Sequence, residues 1–171
     1  MSGQNIEVKV LKLTSEAFKP FGSIISIPKI APTVSTAILN YWDEIVRFEA
    51  EGYVEMGFLE TKFRDFSFHE MERHVKSPET FIPLDGVSIF PLCPPSDLED
   101  PNALPDPSKV IAFILDGSAA VHLKKGVWHW APFPLGNKAL FIVVLRGGTV
   151  KEDVDVKDLK AAKNIEFRLV L

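Results

Sequence analysis

The sequence predicts a mainly β protein that folds as one sandwich or barrel. Short segments rich in β-branched and aromatic residues dominate the chain, turn-forming residues separate most of them, and helix signals are few. The chain has 171 residues, of which 46% are hydrophobic and 25% charged, the balance of an ordinary globular domain. A domain of this length buries roughly 70% of its unfolded surface. We therefore treat residues 1–171 as a single domain.

Eight segments have the length and composition of β-strands. They are residues 8–13, 23–27, 63–74, 81–90, 109–115, 119–124, 140–145 and 166–171. The longest apolar run, 139–145, is about a third as long as a membrane-spanning helix, so it predicts a buried strand and no membrane partner.

Helices are expected only at the periphery of the sheet. Thr14 has the side chain of an N-cap for a one-turn helix that ends before Pro20. Val156, Leu159 and Ala162 have the spacing of one face of a short C-terminal helix. One or two short peripheral helices are therefore predicted.

Two further stretches lack a clear strand pattern. Residues 36–51 suit a helix face and a strand equally well, and their structure is left open. Residues 91–108 contain six prolines together with aspartate, asparagine and serine, a composition that disfavours both helix and sheet ladder. We expect them to form one long surface loop between two strands.

Charge and cysteine content exclude several classes of partner and compartment. The formal net charge is -4, and the lysines and arginines form no run longer than Lys124–Lys125, so we expect no nucleic-acid partner. The single cysteine, Cys93, cannot form an internal disulfide, and the polar residues 1–5 lack the pattern of a signal peptide. These features predict a cytoplasmic protein.

Four carboxylate and imidazole side chains have a spacing that suits one metal ion. Glu72 and His74 lie two residues apart in a predicted strand, so they share a face. Glu79 follows shortly after them, and His129 follows a glycine turn at Gly126. Neutral imidazoles and ionised carboxylates suit borderline divalent ions such as manganese, iron, nickel or zinc.

Each of these residues also has an ordinary structural explanation. Glu72 fits a solvated charged turn, His74 a surface histidine, and His129 a core histidine bound to a backbone carbonyl. Their joint spacing, with strand-like flanks and a glycine at each expected turn, favours the metal site. His69 has the opposite parity to Glu72, so we expect a structural or interface role for it.

The spacing resembles the two signature motifs of the cupins. In these barrels a His-x-His, a glutamate and a glycine form the first motif and Gly-x-x-His forms the second; Glu72 stands in the place of the first paired histidine. The segments HEMERH at 69–74, FIPL at 81–84 and GVWH at 126–129 resemble the ureidoglycolate lyase family more specifically. The resemblance runs from about residue 8 to 159 and implies a single cupin-type barrel of the double-stranded β-helix or jelly-roll form.

Membership of that family would imply a homodimer that splits ureidoglycolate, a small carboxylate, into glyoxylate and urea during allantoin and purine breakdown. It would also imply a divalent cofactor, nickel by resemblance, on Glu72, His74, Glu79 and His129. The chain departs from the family pattern at four places. Glu79 replaces a glutamine, Ile111 an arginine, His122–Leu123 an Asn-Tyr pair, and Trp130 a second histidine.

The reaction implied by the resemblance suggests roles for two more residues. A proton must reach the departing urea nitrogen, and His122 titrates in the useful range. Lys124 is expected to bind the substrate carboxylate. Two alternatives stay open: another metal-dependent cupin enzyme, such as an isomerase, decarboxylase or dioxygenase acting on a small hydroxy or keto acid, and a non-catalytic barrel that binds a small acid.

Overall fold

The computed structural model describes residues 3–171, which form a β protein with short helices. The strands are β1 (Gln4–Lys12), β2 (Gly22–Ile25), β3 (Val34–Ser35), β4 (Asn40–Tyr41), β5 (Val54–Lys62), β6 (Ser67–Phe68), β7 (Glu70–Arg73), β8 (Glu79–Asp85), β9 (Ser88–Cys93), β10 (Ile111–Leu115), β11 (Ala120–Leu123), β12 (Trp128–His129), β13 (Phe133–Pro134), β14 (Lys138–Arg146), β15 (Asp155–Asp158) and β16 (Ile165–Val170). The helices are α1 (Ser15–Phe18), α2 (Thr149–Glu152) and α3 (Leu159–Lys163), with a 3₁₀ turn at Pro107–Lys109. Within this described range no helix is long and apolar enough to cross a membrane.

Two main sheets carry the fold. The larger has the order β15-β7-β12-β9-β10-β1-β16-β6, with β13 paired to β9, and the smaller has the order β2-β11-β8-β14-β5. β3 and β4 form a separate two-stranded sheet. One apolar cluster combines residues of β8, β11 and β14 from the smaller sheet with residues of β9 and β10 from the larger, so the two sheets enclose a common core. The predicted mainly β fold of the cupin barrel type is confirmed.

Neighbouring residues of β10 show how the larger sheet is buried on both faces. Phe113 belongs to the core between the two sheets, whereas Ala112 belongs to a second cluster that includes Phe167 of β16. Side chains alternate across a strand, so a central strand with apolar residues at every position must be covered on both sides. This second core explains why β9 is buried throughout its length.

Gly86 and Gly126 sit at turns beside strands that carry candidate ligands. Gly86 has φ 81° between β8 and β9, and a Cβ atom there would lie 2.5 Å from the carbonyl oxygen of Lys138. Gly126 has φ 78° just before β12, where a Cβ would collide with the Leu98 side chain. Both positions therefore need glycine for conformation and for space.

The structure corrects several predicted strand boundaries. β5 lies outside all the predicted segments. The predicted strand 63–74 is interrupted, because β6 pairs with β16 while β7 pairs with β12 and β15. The predicted segment 81–90 contains the turn at Gly86. Stretch 36–51 contributes β4 and is otherwise irregular, so it is neither a helix nor a long strand.

The predicted loop and helices also need adjustment. β9 continues to Cys93, so the proline-rich loop begins later than residue 91. Thr14 does cap α1, where its hydroxyl accepts a hydrogen bond from the backbone N–H of Ala17 at 3.3 Å. The C-terminal helix starts only at Leu159, because Val156 lies in β15.

Candidate metal centre

Three strands bring the predicted ligands to the barrel interior. β7 carries Glu72 and ends just before His74, and β12 carries His129, which pairs in register with Glu72. Glu79 opens β8 in the facing sheet. His74, Glu79 and His129 are buried, and Glu72 is half-buried. The parity argument that placed Glu72 and His74 on one face agrees with this arrangement.

The candidate ligand atoms converge within a few ångströms. Glu72, His74 and His129 each offer one atom, and these atoms all lie within 4.8 Å of one another. The Glu79 Oε2 atom lies 3.0 Å from His129 Nε2 and 3.6 Å from His74 Nε2. Glu72 Oε1 lies 3.6 Å from His129 Nε2. The structure therefore brings all four predicted ligands together.

Backbone carbonyls orient both imidazole rings. His74 Nδ1 lies 2.6 Å from the carbonyl oxygen of Asp153, and His129 Nδ1 lies 3.1 Å from that of Val127. A carbonyl oxygen only accepts hydrogen bonds, so each Nδ1 carries the proton and donates it. The Nε2 atom of each ring then points toward the carboxylates, as in metal-binding histidines held from behind by a carbonyl.

The cavity has the donor set of a cation site. Within residues 3–171, Glu79 Oε2 and His129 Nε2 are both buried and have no hydrogen-bond partner with acceptable geometry, although they lie 3.0 Å apart. Burial alone would lower the pKa of His129, but the carboxylates of Glu79 and Glu72 raise it to about 9. Two carboxylates facing two imidazoles thus attract positive charge, and a divalent ion would satisfy the orphaned atoms.

Aromatic rings from the core enclose the histidines. The rings of Phe81 and Phe90 both approach His129 edge-on, with centroids 6.1 Å away. Phe66 and Phe68 have the same parity as Glu72 in the predicted strand 63–74. They belong instead to the second core on the other side of the larger sheet, because the strand is interrupted before β7. No local pattern indicates which rings face the candidate ligands.

A buried arginine fastens the ligand strands from the far side of the sheet. Arg73, between two candidate ligands in sequence, is 1% exposed and donates from Nε to Asp155 at 2.8 Å. Its other N–H groups reach the backbone carbonyls of Asp97 and Asp100 in the proline-rich loop, each at 2.7 Å. The guanidinium carbon lies 4.6 Å from the ring centroid of Trp128, which precedes the ligand on β12. Arg73 therefore ties β7, β12, β15 and the loop together.

The structure separates His122 from the candidate ligands. Val121 and Leu123 face the core, so His122 points to the other face of β11, where its Nδ1 lies 2.8 Å from the Thr80 hydroxyl. The Phe48 ring packs against it edge-on at 5.8 Å. Burial lowers the pKa of His122, which favours the neutral ring at neutral pH.

Lys124 lies at the boundary between two spaces. It lines the space around the candidate ligands His74, Glu79 and His129, which we call the metal cavity. It also lines an outer pocket of about 320 Å³, whose other walls come from Arg47, Glu49, Pro78, His122 and Lys125. The predicted substrate-binding lysine is therefore adjacent to the ligands, whereas the predicted catalytic histidine reaches only the outer pocket.

Two further observations complete the assignment of histidines and polar residues. His69 lies outside the metal cavity, and its Nδ1 is 3.0 Å from Asp158 Oδ1, a structural contact with the cap of α3. Asp153, which contacts His74 and the turn after it, escaped the sequence analysis. It lies 79 residues from His74, and no local pattern connects the two.

Comparisons with known proteins show the family of this chain. The model of the ureidoglycolate lyase family matches residues 5–166. A ureidoglycolate lyase of Brucella anthropi is 31% identical over 157 residues, which cover 87% of this chain and 88% of the relative. A ureidoglycolate lyase of Burkholderia mallei is 32% identical over 143 residues, 80% of each protein. The chain therefore belongs to the ureidoglycolate lyase family.

Proposed function

We propose that this protein is a ureidoglycolate lyase that releases urea from ureidoglycolate and leaves glyoxylate. The observation that carries the proposal is the convergence of two imidazole Nε2 atoms and two carboxylates in one buried cavity, next to a lysine. Family membership names the reaction, and the cavity offers the groups that such a reaction needs.

The chemistry requires one proton to move while one bond breaks. The substrate hydroxyl loses its proton and becomes the aldehyde carbonyl of glyoxylate. The carbon–nitrogen bond breaks, and the nitrogen of the departing urea gains a proton. No electrons are transferred to or from the protein, so the reaction needs acid–base groups and orientation rather than redox chemistry.

We propose that Glu72, His74, Glu79 and His129 hold one divalent ion. When bound, the ion would supply Lewis acidity to the substrate hydroxyl and carboxylate. The mixed nitrogen and oxygen donors suit nickel, which the family resemblance favours, and also manganese, zinc or iron. Glu79 is the fourth ligand in this proposal because its Oε2 is directed at both imidazole Nε2 atoms.

We assign Lys124 to the substrate carboxylate. Lys124 lines both the metal cavity and the outer pocket, and its flexible side chain carries the positive charge that a small anionic substrate near the candidate ligands would need. The Ser77 hydroxyl in the same cavity is already engaged, since it donates to Pro78 O at 2.6 Å and accepts from Arg146 N at 2.9 Å. Lys124 is therefore the stronger candidate for recognising the anion.

His122 stays the predicted proton donor, provided that the substrate reaches the pocket in which its ring lies. Its ring is in the outer pocket, so direct transfer to the leaving nitrogen requires the ureido end of the substrate to pass Lys124 into that pocket. A donor must come within hydrogen-bond distance or act through one water. The assignment therefore depends on how far the substrate extends from the ligands.

We further propose a cytoplasmic homodimer. Val54, Met56 and Phe58 on the outer face of β5 are 48%, 76% and 63% exposed, and Phe58 pairs with Ile142 and Met56 with Val144 in β14. An apolar sheet face beside an edge strand favours association, and a second copy would cover it. The free buried thiol of Cys93 supports a reducing compartment. Sedimentation of the wild type and of Met56→Lys/Phe58→Lys tests the dimer, which the double variant should dissociate.

The test of the activity is a metal-dependent assay with a matched pair of variants. The purified protein is stripped of metal and supplied separately with nickel, manganese, zinc or iron, and release of glyoxylate and urea is compared with the spontaneous rate. Glu72→Ala should lose the metal-dependent rate by on the order of 10³-fold, because the Lewis-acid contribution of several kcal/mol is lost. Glu70→Ala, on the same strand but outside the ligand group, should retain it.

The other outcomes distinguish the alternative functions. Oxygen uptake with iron would indicate a dioxygenase, and tight binding of a small acid without turnover under any ion would indicate a binding protein. Stoichiometric metal without release of glyoxylate would keep the metal centre and reject ureidoglycolate as the substrate.

A further inference from the structure

We infer that Asp153 is the positioning residue of the metal centre, because it fixes both the ring of His74 and the turn that connects His74 to Glu79. Asp153 immediately follows α2, far from the ligand motifs in sequence, and is 6% exposed. The inference rests on the metal centre proposed above.

The carboxylate of Asp153 holds the turn after His74. Its Oδ1 accepts a hydrogen bond from the backbone N–H of Val75 at 2.9 Å. Its Oδ2 accepts from the N–H groups of Lys76 at 2.8 Å and Ser77 at 3.0 Å. Three consecutive backbone donors thus converge on one buried carboxylate, an arrangement in which each bond is charge-assisted.

The backbone of the same residue holds the ligand itself. The carbonyl oxygen of Asp153 accepts the Nδ1 proton of His74 at 2.6 Å, so the Nε2 atom remains directed at Glu79. The backbone carbonyl of His74 is in turn fixed by the N–H of Gly126 at 2.7 Å, which belongs to the turn before β12. One residue therefore sets the tautomer of a ligand and the path of the chain on its C-terminal side.

The turn matters because it separates two ligands. Only four residues lie between His74 and Glu79, and three of them donate their N–H groups to Asp153. If the carboxylate is removed, the three backbone N–H groups lose their acceptor. Because they are partly buried, leaving them without a hydrogen bond costs free energy, so the turn is expected to change conformation. The carbonyl that orients His74 would move with it, because side chain and carbonyl belong to one residue.

Asp158 provides a matched comparison within the same chain. Its Oδ1 accepts from the N–H groups of Lys160 at 2.9 Å and Ala161 at 3.0 Å, and it contacts His69 Nδ1 at 3.0 Å. Its carboxylate thus also caps backbone donors. Asp158 contacts its histidine through the carboxylate, whereas Asp153 contacts His74 through the backbone carbonyl, and His69 lies outside the metal cavity. A general effect of losing a capping carboxylate should appear at both residues.

The experiment compares Asp153→Asn with Asp158→Asn by two readouts. The first is the dissociation constant of the metal alone, with nickel or manganese as the probe, measured by calorimetry on the protein stripped of metal. We expect Asp153→Asn to weaken binding by roughly 10- to 100-fold, the range for partners that orient metal ligands, and Asp158→Asn to change it less than about threefold. Equal affinities in wild type and Asp153→Asn would overturn the inference.

The second readout needs neither metal nor activity. Nitrogen-15 NMR of the metal-free wild type should find Nδ1 of His74 protonated, and hydrogen exchange should find the amides of Val75 to Ser77 protected. In Asp153→Asn we expect faster exchange at these amides and a His74 ring that populates both tautomers. An unchanged ring and unchanged protection would contradict the inference even if the protein proves not to be a lyase.

Folding failure does not end the test. If Asp153→Asn unfolds, Asp153→Ser retains a shorter oxygen acceptor at the same place and is measured in the same way. The wild-type exchange data alone can contradict the inference. Unprotected amides at residues 75–77 would show that Asp153 does not bind the backbone of the turn. Loss of lyase activity with normal metal affinity would leave Asp153 without the role assigned here.

Discussion

The metal cavity and the outer pocket meet at Lys124, yet they are built in opposite ways. In the metal cavity the histidines are buried, and backbone carbonyls hold the Nδ1 atom of each ring. In the outer pocket Arg47 has a side chain that is 70% exposed, and it pairs with Glu44, itself 75% exposed. Backbone hydrogen bonds fix the histidine rings of the metal cavity, whereas the charged side chain of Arg47 in the outer pocket is exposed to solvent.

This difference indicates a division of labour. An ion or a reacting bond requires ligands at defined positions, which burial and hydrogen bonds to the backbone supply. Attraction of an anionic substrate requires only positive charge near the entrance, which mobile surface lysines supply equally well. We therefore expect substitutions behind the metal cavity to affect stability and metal binding, and substitutions in the outer pocket to affect substrate affinity.

The largest effect on stability is expected at Arg73. Replacing it by methionine removes the donor to Asp155 Oδ2 and to two loop carbonyls, while Lys157 still pairs with Asp155 Oδ1 at 2.7 Å. The free energy of unfolding should fall by about 3 kcal/mol. Urea denaturation measures this change. Arg47→Met, which breaks an exposed ion pair, serves as the control and should change stability by less than about 1 kcal/mol. Equal effects of the two substitutions would remove the distinction between the regions.

The sequence predicted the ligands better than it predicted their support, for a physical reason. Glu72 and His74 share a face because side chains alternate along a strand, a rule that holds over a few residues wherever the strand ends. Arg73 has the other parity, so its position behind the ligands also follows. Its partners in the proline-rich loop, and the contact between Asp153 and His74, depend on tertiary pairing across 24 to 79 residues. No local pattern records such a contact.

β5 is a strand that the sequence analysis did not predict, and its pattern of exposed residues explains why. Its exposed face carries Val54, Met56 and Phe58, whereas Thr61 on the other face is buried. An alternation rule assumes that apolar residues face the core, and here apolar residues lie on both faces, with Leu59 alone packed against the core among the inward residues 55, 57, 59 and 61. β5 therefore has neither a clear alternation nor the continuous apolar run that predicted its neighbour β14, in which buried residues alternate with half-buried ones.

An intermediate effect is expected at Lys124, where the two regions meet. Lys124→Met should raise KM by on the order of 10-fold, about 1.4 kcal/mol, because a charge-assisted contact to the substrate carboxylate is lost. The value of kcat and the metal affinity should change little, since the lysine is not a ligand. Steady-state kinetics at saturating metal measure both. Lys125→Met, which lines the outer pocket but not the metal cavity, should have the smaller effect.

A contrary result at Lys124 would change which of the two spaces we assign to the substrate carboxylate and to the reacting bond. If Lys124→Met lowered kcat with no change in KM, the lysine would act on the reacting bond and would belong functionally to the metal cavity. If Lys125→Met had the larger effect, the carboxylate would bind in the outer pocket instead.

The smallest effect is expected from the buried ring of His122. Burial lowers its pKa below the ordinary value of 6.5, so the unfolded chain binds more protons than the native protein once the pH falls below about 6.5. Acidification through this window then destabilises the native state by at most ~1.4 kcal/mol per pH unit, and by less because the ring is partly screened by solvent. His122→Gln should reduce this loss.

The measurement is the free energy of unfolding of both proteins, stripped of metal, between pH 7 and 5. The difference between wild type and His122→Gln isolates this histidine, because the metal-cavity groups titrate alike in both. The His122→Gln curve should fall less steeply below pH 6.5. Parallel curves would mean that the ring is as readily protonated in the native state as in the unfolded chain. The outer pocket would then be more open to water than the packing of Phe48 against His122 implies.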